Sequence, residues 1–363
     1  MTDRRSVPAI RTGQGPGLLD FEEFRRRFVS RFYDPNFRVH ASAIDALLDT
    51  AWNNYCQSRK SPITRPAGEG FADPSYELSV EWLAARAAIL EAQQRHDDPA
   101  QRTRVLVIGA ADRNDKTCPG EMAKSYRMAQ IAIGELQSLG IEVDALDLSL
   151  LASEYGRVIY PCKGCVSTAM PLCHWPCSCY PNHSLGQTSD WMNDLYPRWV
   201  AAHGILIITP VYWYQAPSAL KLMIDRLVCA DGGNPDPSST HGKKVDEAKA
   251  MELEGWTYPR HLAERSYALI VHGDAAGTEA LRHALSNCLD DMGLISAGAR
   301  ACIDRLIGYY EPYASSHEAF DADHALHQEI RNAARLLGVQ AVRRRASPSD
   351  LPTAECLPDP RPK

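Results

Sequence analysis

Apolar positions change their period along the chain, and each change predicts a different kind of element. From Phe21 they recur at three- and four-residue steps, first as Phe21, Phe24, Phe28 and Phe32, then as Ile44, Leu47, Leu48, Ala51 and Trp52. That spacing predicts two amphipathic helices. Between Ser58 and Ser75 the chain is polar and punctuated by Pro62, Pro66, Gly68, Gly70 and Pro74, the pattern of an extended connection. A third helix is expected over residues 79–95, with Trp82, Ala85 and Ile89 on its apolar side. Residues 1–17 have no period and read as a loose arm. Residues 1–100 are therefore expected to be an N-terminal helical extension.

Past Asp97-Asp98-Pro99 the pattern switches to short β-branched runs separated by helical stretches. Strands are expected at 104–109, 141–146, 204–209, 266–271 and, more weakly, 299–303, with helices at 121–139, 218–229 and 278–292. Strands that alternate with helices build a parallel sheet covered on both faces, and short, wholly apolar strands are what such a sheet demands. This α/β domain is expected to span 101–340. The Pro- and Arg-rich residues 341–363, from Arg343 onward above all, read as a disordered tail.

Composition narrows the function classes. With 45% hydrophobic and 23% charged residues in 363, the chain is globular rather than disordered or fibrous. Lys and Arg number 39 against 45 Asp and Glu, a net charge of -6, so no positive field draws the protein to nucleic acid or to an anionic membrane. No apolar run approaches the ~20 residues of a membrane span, and the N-terminus shows no secretion signal. The expected location is the cytoplasm, where clustered cysteines more often bind metal or do redox chemistry than form structural disulfides.

In an open parallel sheet, ligands sit outside the carboxyl ends of the strands. After the first strand, residues 110–120 lead into a helix whose free N–H groups suit a phosphate, with Arg113 and Thr117 as partners; an ordinary polar loop with Thr117 as a helix cap fits the same residues. After the third, Pro210, Val211, Tyr212, Trp213 and Tyr214 set three aromatic rings where the chain meets solvent. This is the composition of a site for a flat apolar partner, or of rings packed on neighbouring segments. After the fourth, His272, Gly273 and Asp274 open a loop small enough for a backbone to approach a ring edge, although a plain strand-to-helix turn has the same composition.

Together these segments resemble the flavodoxin-like NAD(P)H-dependent FMN reductase family, which includes the iron-sulfur flavoproteins. The resemblance is carried by Pro210-Val-Tyr-Trp-Tyr followed by Ser218-Ala-Leu-Lys-Leu-Met-Ile-Asp-Arg226, and it covers residues 104–305. The family's first loop usually reads Gly-Ser-x-Arg; aligned on Arg113, this chain has Ala110 and Ala111 in place of the glycine and the serine. The resemblance implies a doubly wound parallel sheet of five strands in a three-layer α/β/α fold. It also implies FMN, with its phosphate near Arg113 and Thr117 and its ring against Tyr212 and Trp213, bordered by Pro210, Val211, Tyr214 and His272 to Asp274. NAD(P)H would be the electron donor, a quinone, nitro compound, flavin or protein the acceptor, and a homo-oligomer the expected assembly.

Cys162, Cys165, Cys173, Cys177 and Cys179 fall in the connection between the second and third strands, within an insertion at 160–185. Four thiolates close around iron or zinc, with His174 and His183 as further donors, and a set of reduced thiols or a switching dithiol pair fits the same spacing. The iron-sulfur flavoproteins carry a more compact cysteine motif in this connection, of which the step from Cys162 to Cys165 is matched here. Residues 231–264 read as a long excursion and a possible lid, with Lys243, Lys244, Trp256 and Tyr258 as polar turn and packing residues or as contacts to a cofactor. Two alternatives to the reductase stay open: an iron-sulfur flavoprotein that only carries electrons, and a metal-stabilised, non-catalytic binding or sensor module.

Overall fold

The structure is a computed structural model that describes residues 11–12, 15 and 17–347. The chain divides into two compact units. One comprises Met1–Ala85, Lys163–Asp190 and Asn234–Trp256, the other Arg86–Cys162, Trp191–Gly233 and Thr257–Lys363. The cysteine connection and most of the 231–264 excursion therefore gather with the N-terminal residues into one unit.

In that unit, helix α1 (Phe21–Val29) is capped by Asp20, whose carboxylate accepts the Glu23 N–H at 2.8 Å, and α2 (Ala41–Cys56) packs beside it. The aromatic period of the sequence becomes the contact: Phe24 lies 4.9 Å from Tyr55 and 5.3 Å from Trp52, centroid to centroid. The connection expected to be merely extended forms strands. β1 (Arg11–Thr12) pairs with β2 (Arg59–Ser61), and β3 (Thr64–Pro66) pairs with β4 (Glu77–Ser79), both antiparallel. Pro66 is tolerated because it closes a three-residue strand paired on one side only. Leu78, Trp82 and Leu83 make a small core under this hairpin, at the start of α3 (Val80–Asp97). Helix α8 (Val245–Gly255) also belongs to this unit.

The other unit holds the α/β domain. Its parallel strands are β5 (Arg104–Gly109), β6 (Glu142–Asp147), β7 (Gly204–Pro210), β8 (Ser266–Gly273) and β10 (Cys302–Leu306), in the order β10-β8-β7-β5-β6, with the two-residue β9 (Ile295–Ser296) added beside β8. This is the flavodoxin-like order, whose direction reverses between β5 and β7. All residues of β7 and β8 are buried, whereas the edge strands β6 and β10 are only partly so. Two-sided burial is why the central strands read as unbroken apolar runs.

Alternate residues of these strands divide between two cores. Val105, Val107, Leu206, Ile208 and Ile270 pack with α4 (Lys124–Ser138) and α11 (His324–Ala346). On the sheet also lie α6 (Met192–Ala201), against β5, and α9 (Thr278–Asp291), against β8 and β10; neither contributes to that first cluster. Gly338 lets α11 come close, since a Cβ there would meet Ile141 Cδ1 at 2.5 Å. Three further helices, α5 (Leu150–Ser153), α7 (Ser218–Leu227) and α10 (Ser316–Ala322), lie in the connections.

Two sequence expectations are corrected here. The fifth main strand lies at 302–306 rather than 299–303. Residues 341–346 are not tail but the end of α11, where three arginines in the last turn suit the negative end of the helix. They also find acceptors: Arg345 donates to the carbonyls of Asp98 and Gln101 at 2.8 Å, and Arg344 to that of Glu264 at 3.2 Å. The remaining expected tail, 348–363, and most of the expected arm, residues 1–10, 13, 14 and 16, lie outside the described residues. No helix among the described residues is long and apolar enough to cross a membrane.

Candidate functional site

At the carboxyl ends of β5, β7 and β8 the strands open onto a cavity of about 480 Å³. Ala111, Arg113, Glu121, Ala123, Lys124 and Ser125 form one wall, contributed by the β5 loop and the start of α4. Pro210, Val211 and Tyr212 come from the β7 loop, and His272, Gly273 and Asp274 from the β8 loop. Tyr313, Ala314 and Ser316 close the remaining side. Seven of the ten residues singled out in the sequence as cofactor contacts are thus brought together around one space, at the reversal of strand order. Its volume is within the ~300–1,000 Å³ range usual for small-molecule sites.

The polar groups of the wall are organised in pairs. Lys124 Nζ lies 3.0 Å from Asp274 Oδ1, and Arg113 lies 2.6 Å from Glu121. The Ser125 hydroxyl shares a 2.8 Å hydrogen bond with His272 Nε2. Burial first, and then the nearby Lys124 ammonium, push the His272 imidazole down to about 3, so the ring is neutral throughout the physiological range. No side chain caps α4 at Ala123, which leaves the helix start to the cavity. Burial raises the Tyr212 hydroxyl, with the Asp112 carboxylate acting in the same direction.

Thr117, Trp213 and Tyr214 are placed differently. Thr117 Oγ1 accepts the Asn114 N–H at 3.0 Å and donates to the Asn114 carbonyl at 2.8 Å, tying the loop rather than lining the cavity. Asn114 in turn donates to Ser149 and Ser153, at 2.8 Å each. Tyr212 and Gln215 exchange backbone hydrogen bonds of 2.9 and 3.0 Å around Trp213 and Tyr214. Both residues have left-handed backbones, φ 46° and 65°, as a type I′ turn requires. That turn normally takes Asn-Gly; two bulky aromatics in it cost about 1–3 kcal/mol each. Trp213 is 93% exposed and Tyr214 65%, so the strain presents two rings to solvent beside the cavity. Gly277, at φ 90°, fits the β8 loop against this turn, because a Cβ would come within 3.1 Å of Val211 and of the Tyr214 backbone.

Sequence reasoning missed Lys124, Ser125, Glu121 and Tyr313 as wall residues, and it missed the role of Asp112. The Asp112 carboxylate accepts from the Ser218 N–H and hydroxyl and from the Ala219 N–H at 2.9–3.2 Å, capping α7 from the neighbouring loop. Asp112→Ala is expected to cost about 1–2 kcal/mol of stability, read from urea unfolding, whereas Asp112→Asn should lose less than half of that.

The segment from Ser218 to Arg226 is structural in its visible contacts: Lys221 pairs with Asp225 along the helix, and buried Arg226 donates to the Tyr160 carbonyl at 2.9 Å. A family model described as NADPH-dependent FMN reductase matches residues 103–303, more than half of the chain. The chain belongs to the NADPH-dependent FMN reductase family. It is a flavin oxidoreductase of flavodoxin-like fold. Comparison with curated proteins gives no match. Among solved structures the chain is similar to RosB with a bound 8-demethyl-8-formylriboflavin-5'-phosphate intermediate, at 13% identity over 70% of this chain and 84% of that one, TM-score 0.48. It is also similar to an oxidoreductase from Corynebacterium diphtheriae, at 12% identity over 67% and 99%, TM-score 0.37. An azoreductase from Bacillus anthracis str. Sterne gives 12% identity over 65% and 99%, TM-score 0.34.

In this member of the NADPH-dependent FMN reductase family the cysteine connection does not take the arrangement expected of metal ligands. Among the described residues no three His, Cys, Asp or Glu side chains are placed to hold a metal ion, Cys162, Cys165, Cys173, Cys177 and Cys179 included. A cation stands there instead: the Lys243 ammonium lies 3.6 Å from Cys165 Sγ and donates to the Leu172 carbonyl. The two histidines are engaged, His174 with the Ser178 hydroxyl at 2.5 Å and His183 with Glu81 at 2.9 Å. Lys244 pairs with Glu247 at 3.2 Å.

Proposed function

We propose that the protein uses FMN to pass electrons from NAD(P)H to an organic acceptor, a quinone, a nitro compound, a free flavin or a protein redox partner. The observation that carries this reading is the cavity at the reversal of strand order, walled by the β5, β7 and β8 loops and the start of α4 in a chain of this family. The residues present fit the cofactor. The uncapped α4 start, Lys124, Ser125 and Arg113 supply donors for a phosphate, exchanged for the present ion pairs with Asp274 and Glu121. Pro210, Val211, Tyr212 and the Gly273 backbone supply a flat, largely apolar border for a ring.

FMN, when bound, supplies the electron-transfer chemistry. The chain's part is to bind, orient and set polarity. His272, neutral and held to Ser125, is a fixed polar wall rather than a proton donor. Tyr313 lines the open side, and Trp213 and Tyr214 stand exposed at the adjoining turn, where they offer planar acceptors a stacking surface.

Full-length protein, purified and scanned for flavin absorbance, is expected to retain or rebind about one FMN per chain and to bleach under anaerobic NADPH or NADH. Recolouring on addition of a quinone or nitro compound would identify the acceptor class. A folded chain that binds no FMN at micromolar concentration would rule the reading out.

A further inference from the structure

The cysteine connection holds an arrangement that the flavin reading leaves unused. Cys165 Sγ and Cys179 Sγ are 3.5 Å apart, in van der Waals contact, although the residues are fourteen positions apart in the chain. Cys165 is half-buried and borders the small apolar cluster of Ala169, Leu172 and Ala248, whereas Cys179 is 5% exposed. Of the two residues Cys165 is therefore the more exposed. Lys243 places its ammonium 3.6 Å from Cys165 Sγ and is anchored by the Leu172 carbonyl. A fixed cation beside a sulfur favours its anionic form. The hydrogen bond from Cys179 and then the Lys243 charge hold the Cys165 thiol down to about 6 against the opposing effect of burial. The charges of Cys179, Cys165, Cys177 and Cys173 in turn raise the Lys243 ammonium against the effect of its burial.

We propose that Cys165 and Cys179 form a thiol–disulfide exchange site whose substrate is a low-molecular-weight disulfide. The Cys165 thiolate attacks one sulfur of the substrate; a bond forms between Cys165 and that sulfur, and the other half of the substrate leaves as a thiolate. Cys179 then gives up its proton and attacks Cys165 Sγ, which forms the Cys165–Cys179 disulfide and expels the second half as a thiolate. Two protein thiols are oxidised, one substrate disulfide is reduced to two thiols, and the two protons end on the released products. Cys165 is the attacking group because its sulfur lies beside the cation on the more exposed of the two residues, and Cys179 is the resolving group because it already touches Cys165. All of its residues belong to the unit that contains the N-terminal helices, and none of them lines the flavin cavity.

The test treats reduced full-length protein with glutathione disulfide, blocks the remaining thiols and maps the peptides without reduction. The expected product is a single Cys165–Cys179 link in most of the chains, with exposed Cys56 and Cys118 unlinked and full reversal by dithiothreitol. Cys179→Ser should stop at the first step and accumulate a glutathione adduct on Cys165, and Cys165→Ser should leave Cys179 unmodified, with unchanged circular dichroism in both. Random modification across the ten described cysteines would overturn the proposal. So would a Cys165–Cys179 pair that stays reduced while Cys56 reacts. Stoichiometric iron or zinc in the purified protein, with thiols that react only after chelation, would overturn it in favour of a metal centre. FMN content is measured in parallel, so failure at the thiols is distinguished from failure of the flavin reading.

Discussion

Acidification from pH 7.5 to pH 4.5 is expected to lower the unfolding free energy of the protein by about 3–5 kcal/mol, before most carboxylates titrate. Three histidines of the α/β unit are held far below their ordinary value of 6.5: His272 at about 3, His96 at about 3 and His203 at about 4. Burial is the leading cause for each. For His272 the Lys124 ammonium adds to it; for His96 and His203, Arg265 and Arg345 do. His96 and His203 are stacked 4.4 Å apart; the His203 ring lowers His96, whereas the hydrogen bond to the His96 carbonyl partly opposes the fall of His203, so they are counted as one coupled pair.

The sign follows from which state binds the proton. Below pH 6.5 the unfolded chain protonates these rings and the folded one does not, so stability is complete above 6.5 and falls as pH drops toward 4. Each fully excluded proton contributes a slope of about 1.4 kcal/mol per pH unit. Urea midpoints measured at half-unit pH steps check this, and a flat profile between pH 6.5 and 4.5 would refute it. His272→Asn, which keeps a polar partner for Ser125, should remove one histidine's share of the slope.

These three rings also show where sequence reading reaches its limit. The strands β5, β7 and β8 were legible because residues buried on both faces must be apolar without interruption, and residues 105–108 satisfy that on sight. β10 was misplaced because an edge strand tolerates Asp304 and Arg305, which pair with Arg282 and Glu329 and break the run. Helix α11 carried its signal, Leu326, Ile330, Ala333, Ala334, Leu337 and Ala341 at three- and four-residue steps, but its arginine-rich end resembled a tail until their carbonyl acceptors were visible. The loops after β5, β7 and β8 were legible as a site because strand order alone places them together. Lys124 and Ser125 were not, since their importance lies in contacts 150 and 147 residues away in β8 and its loop. Lys243 meets Cys165 across 78 residues, with nothing in the local pattern of either segment to announce it.

The other large effect is expected at Lys124. Its ammonium is mostly buried, lines the cavity at the start of α4 and pairs with Asp274 at 3.0 Å. A phosphate brought to the α4 start would take Lys124 as its charged partner, a contact of about 1.5–3 kcal/mol. Lys124→Glu removes that contact, sets a second carboxylate beside Asp274 and opposes the helix end with like charge to the phosphate. FMN affinity should fall by at least about 100-fold, or ~2.7 kcal/mol. Riboflavin, which lacks the phosphate, should keep its affinity within about threefold, and Lys124→Met should lie between, with an FMN loss of about tenfold. Fluorescence titration of apoprotein with each ligand measures both constants, and a shallower salt dependence of FMN binding in the variant is the accompanying sign. Equal losses for FMN and riboflavin would mean that the substitution damages the cavity as a whole. Unchanged FMN affinity would move the phosphate away from α4, and with it the orientation in which the ring meets Tyr212 and Tyr313.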